Sequence, residues 1–138
     1  MSDFIATFPW TLPLQRLQQR DPVLAPLALF DADGALNAHG QALEQLLLAG
    51  QALAQREADV ALVADELRRY QKFAPPGRPS LQIVQLRRQQ SAVQQAQRVA
   101  RQAFIRQADA FARAMSLAVP AKLGTLVIVE RWLQAHLR

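Results

Sequence analysis

Two stretches without proline, residues 36–73 and 81–117, flank APPGRPS at 74–80. Consecutive prolines followed by glycine cannot continue a helix, because proline lacks the amide donor and its ring clashes with the preceding turn. Each flanking stretch has room for a helix of about 37 residues and about 55 Å. A seven-residue connection forces two such helices to run antiparallel. In the first (35–73), Leu43, Leu46, Leu47, Leu53, Val60 and Leu67 recur at helical spacing. Gly40 and Gly50 weaken it by up to about 1 kcal/mol each relative to alanine, and Gly50 marks a bend. The second (81–118) has Ser80 as its N-cap.

The ends of the chain read differently. Pro9, Pro13, Pro22 and Pro26 leave room in 1–33 only for an arm and a short helix at 12–20, with Leu12, Leu14 and Leu17 turned inward. Phe4, Phe8 and Trp10 make the arm apolar, so it either lies across the body or anchors a partner. After VPAKLGT, Thr125 caps a final helix at 124–138, although the β-branched start TLVIVE also suits a strand. Aromatic residues are only 7% of the chain while alanine and leucine abound, which favours close helix packing over a sandwich. The expected fold is one all-α domain: a long antiparallel hairpin with short N- and C-terminal helices packed on it. The chain has no cysteine, hence no disulfide or thiolate metal site. It shows neither a secretory leader nor the roughly 18 uncharged apolar residues of a membrane span. A cytoplasmic protein without a membrane partner is expected.

Placed on a wheel of about 100° per residue, Arg87, Arg88, Arg98, Arg101, Arg106 and Arg113 share one face of the second helix roughly 140° wide. Leu86, Val93, Ala96, Val99, Ala100, Ala103, Phe104, Phe111 and Leu117 lie opposite. Asp109 is the only acid in 81–117, whereas 35–67 holds Glu44, Glu57, Asp59, Asp65 and Glu66 against the single Arg56. In the hairpin, residues whose numbers add to about 154 lie level. That sets Asp65 and Glu66 beside Arg87 and Arg88, and Glu57 and Asp59 near Arg98. The arginines therefore either pair with the first helix, each pair worth at most about 1 kcal/mol, or stand free for phosphates or another partner. Nine glutamines, among them Gln95 and Gln97, extend the same polar surface without charge.

LALFDADGAL, residues 27–36, resembles the first motif of the haloacid dehalogenase-type phosphatases. The resemblance implies a strand delivering Asp31 as nucleophile and Asp33 as acid and base to a magnesium ion. It covers ten residues and departs at Ala35, where the family has threonine. Pro26 interrupts the incoming strand. No later pair of acids follows an apolar run, since LVIVE ends in Glu130 alone, and no parallel sheet fits between. Phosphoryl transfer needs charge stabilisation that this fragment lacks. A calcium loop fails as well, because Leu36 stands where its glycine is required. Asp31, Asp33 and Asn37 read better as turn and N-cap residues, with Gly34 reversing the chain.

His39 and His136 sit apart without ligand spacing, and Ser80 and Ser91 lack a nucleophile context. No catalytic residue, metal or cofactor is expected. The net charge of +5 suits an acidic partner. The expectation is a non-catalytic interaction or adaptor protein that binds a protein partner through the Arg/Gln-rich helical face. The alternative is a DNA- or RNA-binding accessory protein using the same arginines. The uncovered apolar strip and the aromatic arm also suggest a homodimer.

Overall fold

A computed structural model describes residues 8–73, 77 and 80–137. Helix α1 (Thr11–Gln18) is followed by a 3-10 helix (Pro22–Leu27), α2 (Ala38–Phe73), α3 (Leu81–Ala114) and α4 (Thr125–Leu137). The fold is all-α, and α2 and α3 form the expected long antiparallel pair. Their packing dominates the tertiary contacts, with α1 laid on α2 and α4 on α3. No helix among the described residues is long and apolar enough to cross a membrane. Phe4 and most of the 74–80 turn lie outside the described residues.

Local chemistry sets the boundaries. Ser80 Oγ accepts from the Ile83 N–H at 3.2 Å and opens α3. Asn37 opens α2 by accepting from the Gly40 N–H at 2.9 Å. Helix α3 ends three residues short of the expected stretch. Ser116 turns left-handed there (φ 53°), and the Leu117 N–H closes back on the Ala112 carbonyl at 2.9 Å. The β-branched start at Thr125 is helical rather than extended, because Val129, Leu133 and Leu137 form one buried face at helical spacing. The 3-10 helix was not foreseen. Asp21 caps it by accepting from the Val23 N–H, and Pro22 begins it.

The core is unevenly placed along the hairpin. Leu43, Leu46, Leu47 and Leu53 of α2 meet Phe104, Ala108, Phe111 and Ala112 of α3, closed over by α1 and α4. Phe111 meets the Trp132 ring edge-on at 5.0 Å. Above Ala54 and below Ala100, no described residue belongs to this cluster. The remaining α2–α3 segment, roughly 30 Å of helix, has only a small cluster of its own: Leu67, Ile83 and Leu86. Among the described residues, the molecule is a four-helix base carrying a two-helix extension that no other element covers. Between the two clusters the seam includes a polar contact, where Gln97 Nε2 donates to Glu57 Oε2 at 2.6 Å. This contact realises the expected register. Val99, assigned to the apolar strip, is 56% exposed. Gln97 and Ala100 take the inward positions on either side of it.

Phe8 and Trp10 are 7% and 2% exposed and belong to the core, so neither is available as an anchor for a partner. Of the aromatic arm behind the homodimer expectation, Phe8 and Trp10 are thus buried in the core.

Candidate functional site: the arginine face of α3

All six arginines of α3 are exposed, and they run along the helix from Arg87 on the bare extension to Arg113 on the base. Their partners differ from the expected set. Arg101 Nη2 lies 3.4 Å from Glu57 Oε1, an ion pair whose side chains are 49% and 30% exposed. Arg98 turns along its own helix, donating to Gln95 Oε1 at 3.1 and 2.7 Å. Among the described residues, Arg87, Arg88, Arg98, Arg106 and Arg113 have no ion pair. Asp109, the one acid of α3, does not pair with Arg106 or Arg113 either.

The acids of α2 explain why. Asp59 holds Arg56 at 2.9 Å and also accepts from Gln55, while Asp65 holds Arg68. Each is a contact within one helix, three or four residues apart, where little chain freedom is lost in forming it. Only Glu57, half-buried in the seam, reaches across. For Asp59 and Asp65 a partner one turn away takes the place of the distant one standing level, whereas Glu66 and Asp109 have no ion pair among the described residues although an arginine lies three residues from each.

Arg113 also lines an open groove of about 340 Å³ with Asp109, Ser116, Leu117 and Thr125, at the joint between α3 and α4. It carries both signs of charge. His136 is exposed, stacks on Trp132 at 4.5 Å and places Nδ1 2.9 Å from the Trp132 carbonyl. His39 is exposed at the start of α2. Among the described residues no three metal-binding side chains converge.

The 27–36 loop is a tight reversal. Phe30 and Leu36 form a single antiparallel bridge, and Gly34 takes φ 82°. Asp31 Oδ1 accepts from the backbone N–H groups of Asp33 and Ala35 at 2.9 and 3.1 Å. That is an Asx turn, and it commits one of the Asp31 carboxylate oxygens to the loop itself. Asn37 pins the returning chain, its Nδ2 donating to the Ala28 carbonyl at 2.7 Å. Asp33 is exposed and contributes only its backbone N–H.

Sequence reasoning passed over one feature. Tyr70, Phe73 and Leu81 at the end of the hairpin are 42%, 79% and 72% exposed. The signal was present: no acid occurs between Glu66 and Asp109, while nine lysines and arginines do. Comparison of the chain with protein-family models, with curated proteins and with solved structures finds no match.

Proposed function

We propose that the protein is a non-catalytic helical interaction protein that binds a macromolecular partner through the arginine face of α3. The observation that carries this reading is that five of the six arginines are exposed without an ion pair among the described residues. An unpaired surface arginine adds little to folding, and five like charges along one helix repel one another. Folding alone gives such a face no purpose; an anionic partner does. The bare extension supports the same reading, because it projects arginine-bearing helix beyond the globular base.

A second reading, binding of DNA or RNA, draws on the length of the face. Arg87 to Arg113 spans about 39 Å of helix at 1.5 Å per residue, enough to follow several phosphates. The deciding experiment is copurification of the untagged protein from its host, followed by release across a salt gradient. A protein partner held by arginines and apolar neighbours leaves gradually. Nucleic acid leaves steeply, with a logarithmic slope of nearly one unit per phosphate contact. Quantitative recovery of the chain with neither, at low salt, contradicts both readings.

A further inference from the structure

We propose that the groove at the joint between α3 and α4 docks a segment of a protein partner in which an acid and a base stand about 6 Å apart beside an apolar side chain. This rests on the reading of the α3 face as a partner-binding surface, and it names the kind of partner that its base end takes. The groove lies wholly within the described residues. Asp109, Ala112 and Arg113 line it from the last turns of α3, Ser116, Leu117 and Val119 from the connecting loop, and Thr125 from the start of α4. Its volume is about 340 Å³, and it is open to solvent.

The decisive observation is an ion pair left unmade. Asp109 precedes Arg113 by four residues, the favourable order for pairing on a helix, worth about 0.2–0.5 kcal/mol. Local pairs of this kind do close on α2, between Arg56 and Asp59 and between Arg68 and Asp65. Asp109 and Arg113 line one groove, yet neither side chain has an ion pair or hydrogen bond among the described residues. Two opposite charges therefore face the groove about 6 Å apart along the axis, each open to a partner's charge. Beside them Ala112, Leu117 and Val119 supply an apolar wall, and Val119 is 39% exposed. Exposed charge pairs contribute at most about 1 kcal/mol each, so the apolar contact supplies affinity and the charges supply orientation. The spacing fits an acid and a base four residues apart on a partner helix, or two apart on a strand that rises about 3.3 Å per residue. Nucleic acid fits this groove poorly, because its phosphates would meet Asp109 as like charges. A small molecule fits poorly too, because ligand pockets enclose most of their ligand's surface and this groove is open.

The test is selection of a phage-displayed library of random peptides on the full chain, with the enriched peptides synthesised and titrated by fluorescence anisotropy. The expected peptides carry an acid and a base two or four residues apart beside a leucine, isoleucine, methionine or phenylalanine. Val119→Asp weakens their binding by more than about tenfold, since it sets a carboxylate against the apolar side chain. Arg113→Gln and Asp109→Asn weaken it by about threefold to fivefold each. Arg88→Gln, an equal charge loss about 37 Å along α3, leaves it unchanged. Circular dichroism checks that each variant keeps the parent fold, and the two conservative variants carry the test if Val119→Asp does not. Absence of enrichment overturns the proposal, as does peptide affinity that survives both Arg113→Gln and Asp109→Asn. So does enrichment of polyacidic peptides that Arg88→Gln weakens as much as Arg113→Gln does; that result removes the groove and leaves the arginine face standing.

Discussion

Replacing Gly40 with alanine lowers stability, although alanine is the better helix former by about 1 kcal/mol. A Cβ at position 40 would stand 2.3 Å from the Leu29 carbonyl oxygen and 2.9 Å from a Leu36 methyl group. The contact with Leu36 is at the far end of a flexible side chain, whereas the contact with Leu29 is at backbone. Leu29 is fully buried, and its carbonyl accepts from the Asn37 N–H at 2.9 Å. The neighbouring Ala28 carbonyl is held by Asn37 Nδ2, and Asn37 Oδ1 in turn caps α2 through the Gly40 N–H. Restoring ordinary contact requires a shift of roughly 1 Å, shared among groups that are all bonded to one another. Overpacking of this kind costs about 1–3 kcal/mol, and weakening one or two of the hydrogen bonds adds about 1 kcal/mol each. Against the helix-propensity gain, the net is a loss of about 2 kcal/mol, or roughly 5–10 °C in Tm. Urea unfolding followed by circular dichroism measures it as a lower midpoint at unchanged slope. A Gly40→Ala protein as stable as the parent, or more so, refutes the account of how 27–37 crosses the start of α2.

The seam contact between Glu57 and Gln97 sets register more than stability. Glu57→Leu combined with Gln97→Leu is therefore neutral or stabilising by about 1–3 kcal/mol in thermal unfolding, and a loss of more than 1 kcal/mol contradicts that. Phe111→Ala removes a fully buried ring and costs about 3–5 kcal/mol. It also changes the fluorescence of Trp132, and a change in stability with unaltered emission would misplace the ring pair. One Asp31 carboxylate oxygen is committed to its own turn, and no second pair of acids follows on a strand among the described residues, so no magnesium-dependent hydrolysis of an aryl phosphate is expected. Turnover that vanishes in Asp31→Asn would restore the phosphatase reading.

The hairpin was legible because its signals are local. Prolines at 75, 76 and 79 stop one helix, Ser80 starts the next, and the apolar spacing on each side has one period. The register followed from turn length alone, and the Glu57–Gln97 contact bears it out. What could not be read is what depends on neighbours. Periodicity marks an apolar strip on α3, but not that α1 and α4 cover only its end at the base. Val99 looked internal on an averaged wheel, yet the seam passes it on one side. The glycine spacing suggested weakness at Gly40, whereas the close approach of Leu29 makes the missing side chain a requirement. Ion pairing differed from the expected set: Asp59 and Asp65 pair within α2, Glu57 reaches Arg101 rather than Arg98, and Arg87 and Arg88 have no ion pair among the described residues. The six arginines were singled out by charge and spacing, while the exposure of Tyr70, Phe73 and Leu81 went unnoticed because all three were assigned to the two long helices.

The central claim is that the α3 arginines serve a partner rather than the fold, and one paired measurement on Arg106→Glu with Arg113→Glu tests it. Both residues are exposed on α3 at the level of the base and have no ion pair among the described residues. Thermal unfolding and affinity for the copurified partner are measured on the same preparation. The account predicts a change in stability of less than about 1 kcal/mol, together with a loss of binding of tenfold or more, about 1.4 kcal/mol. An unfolded double variant, or a folded one that binds as tightly as the parent, contradicts it.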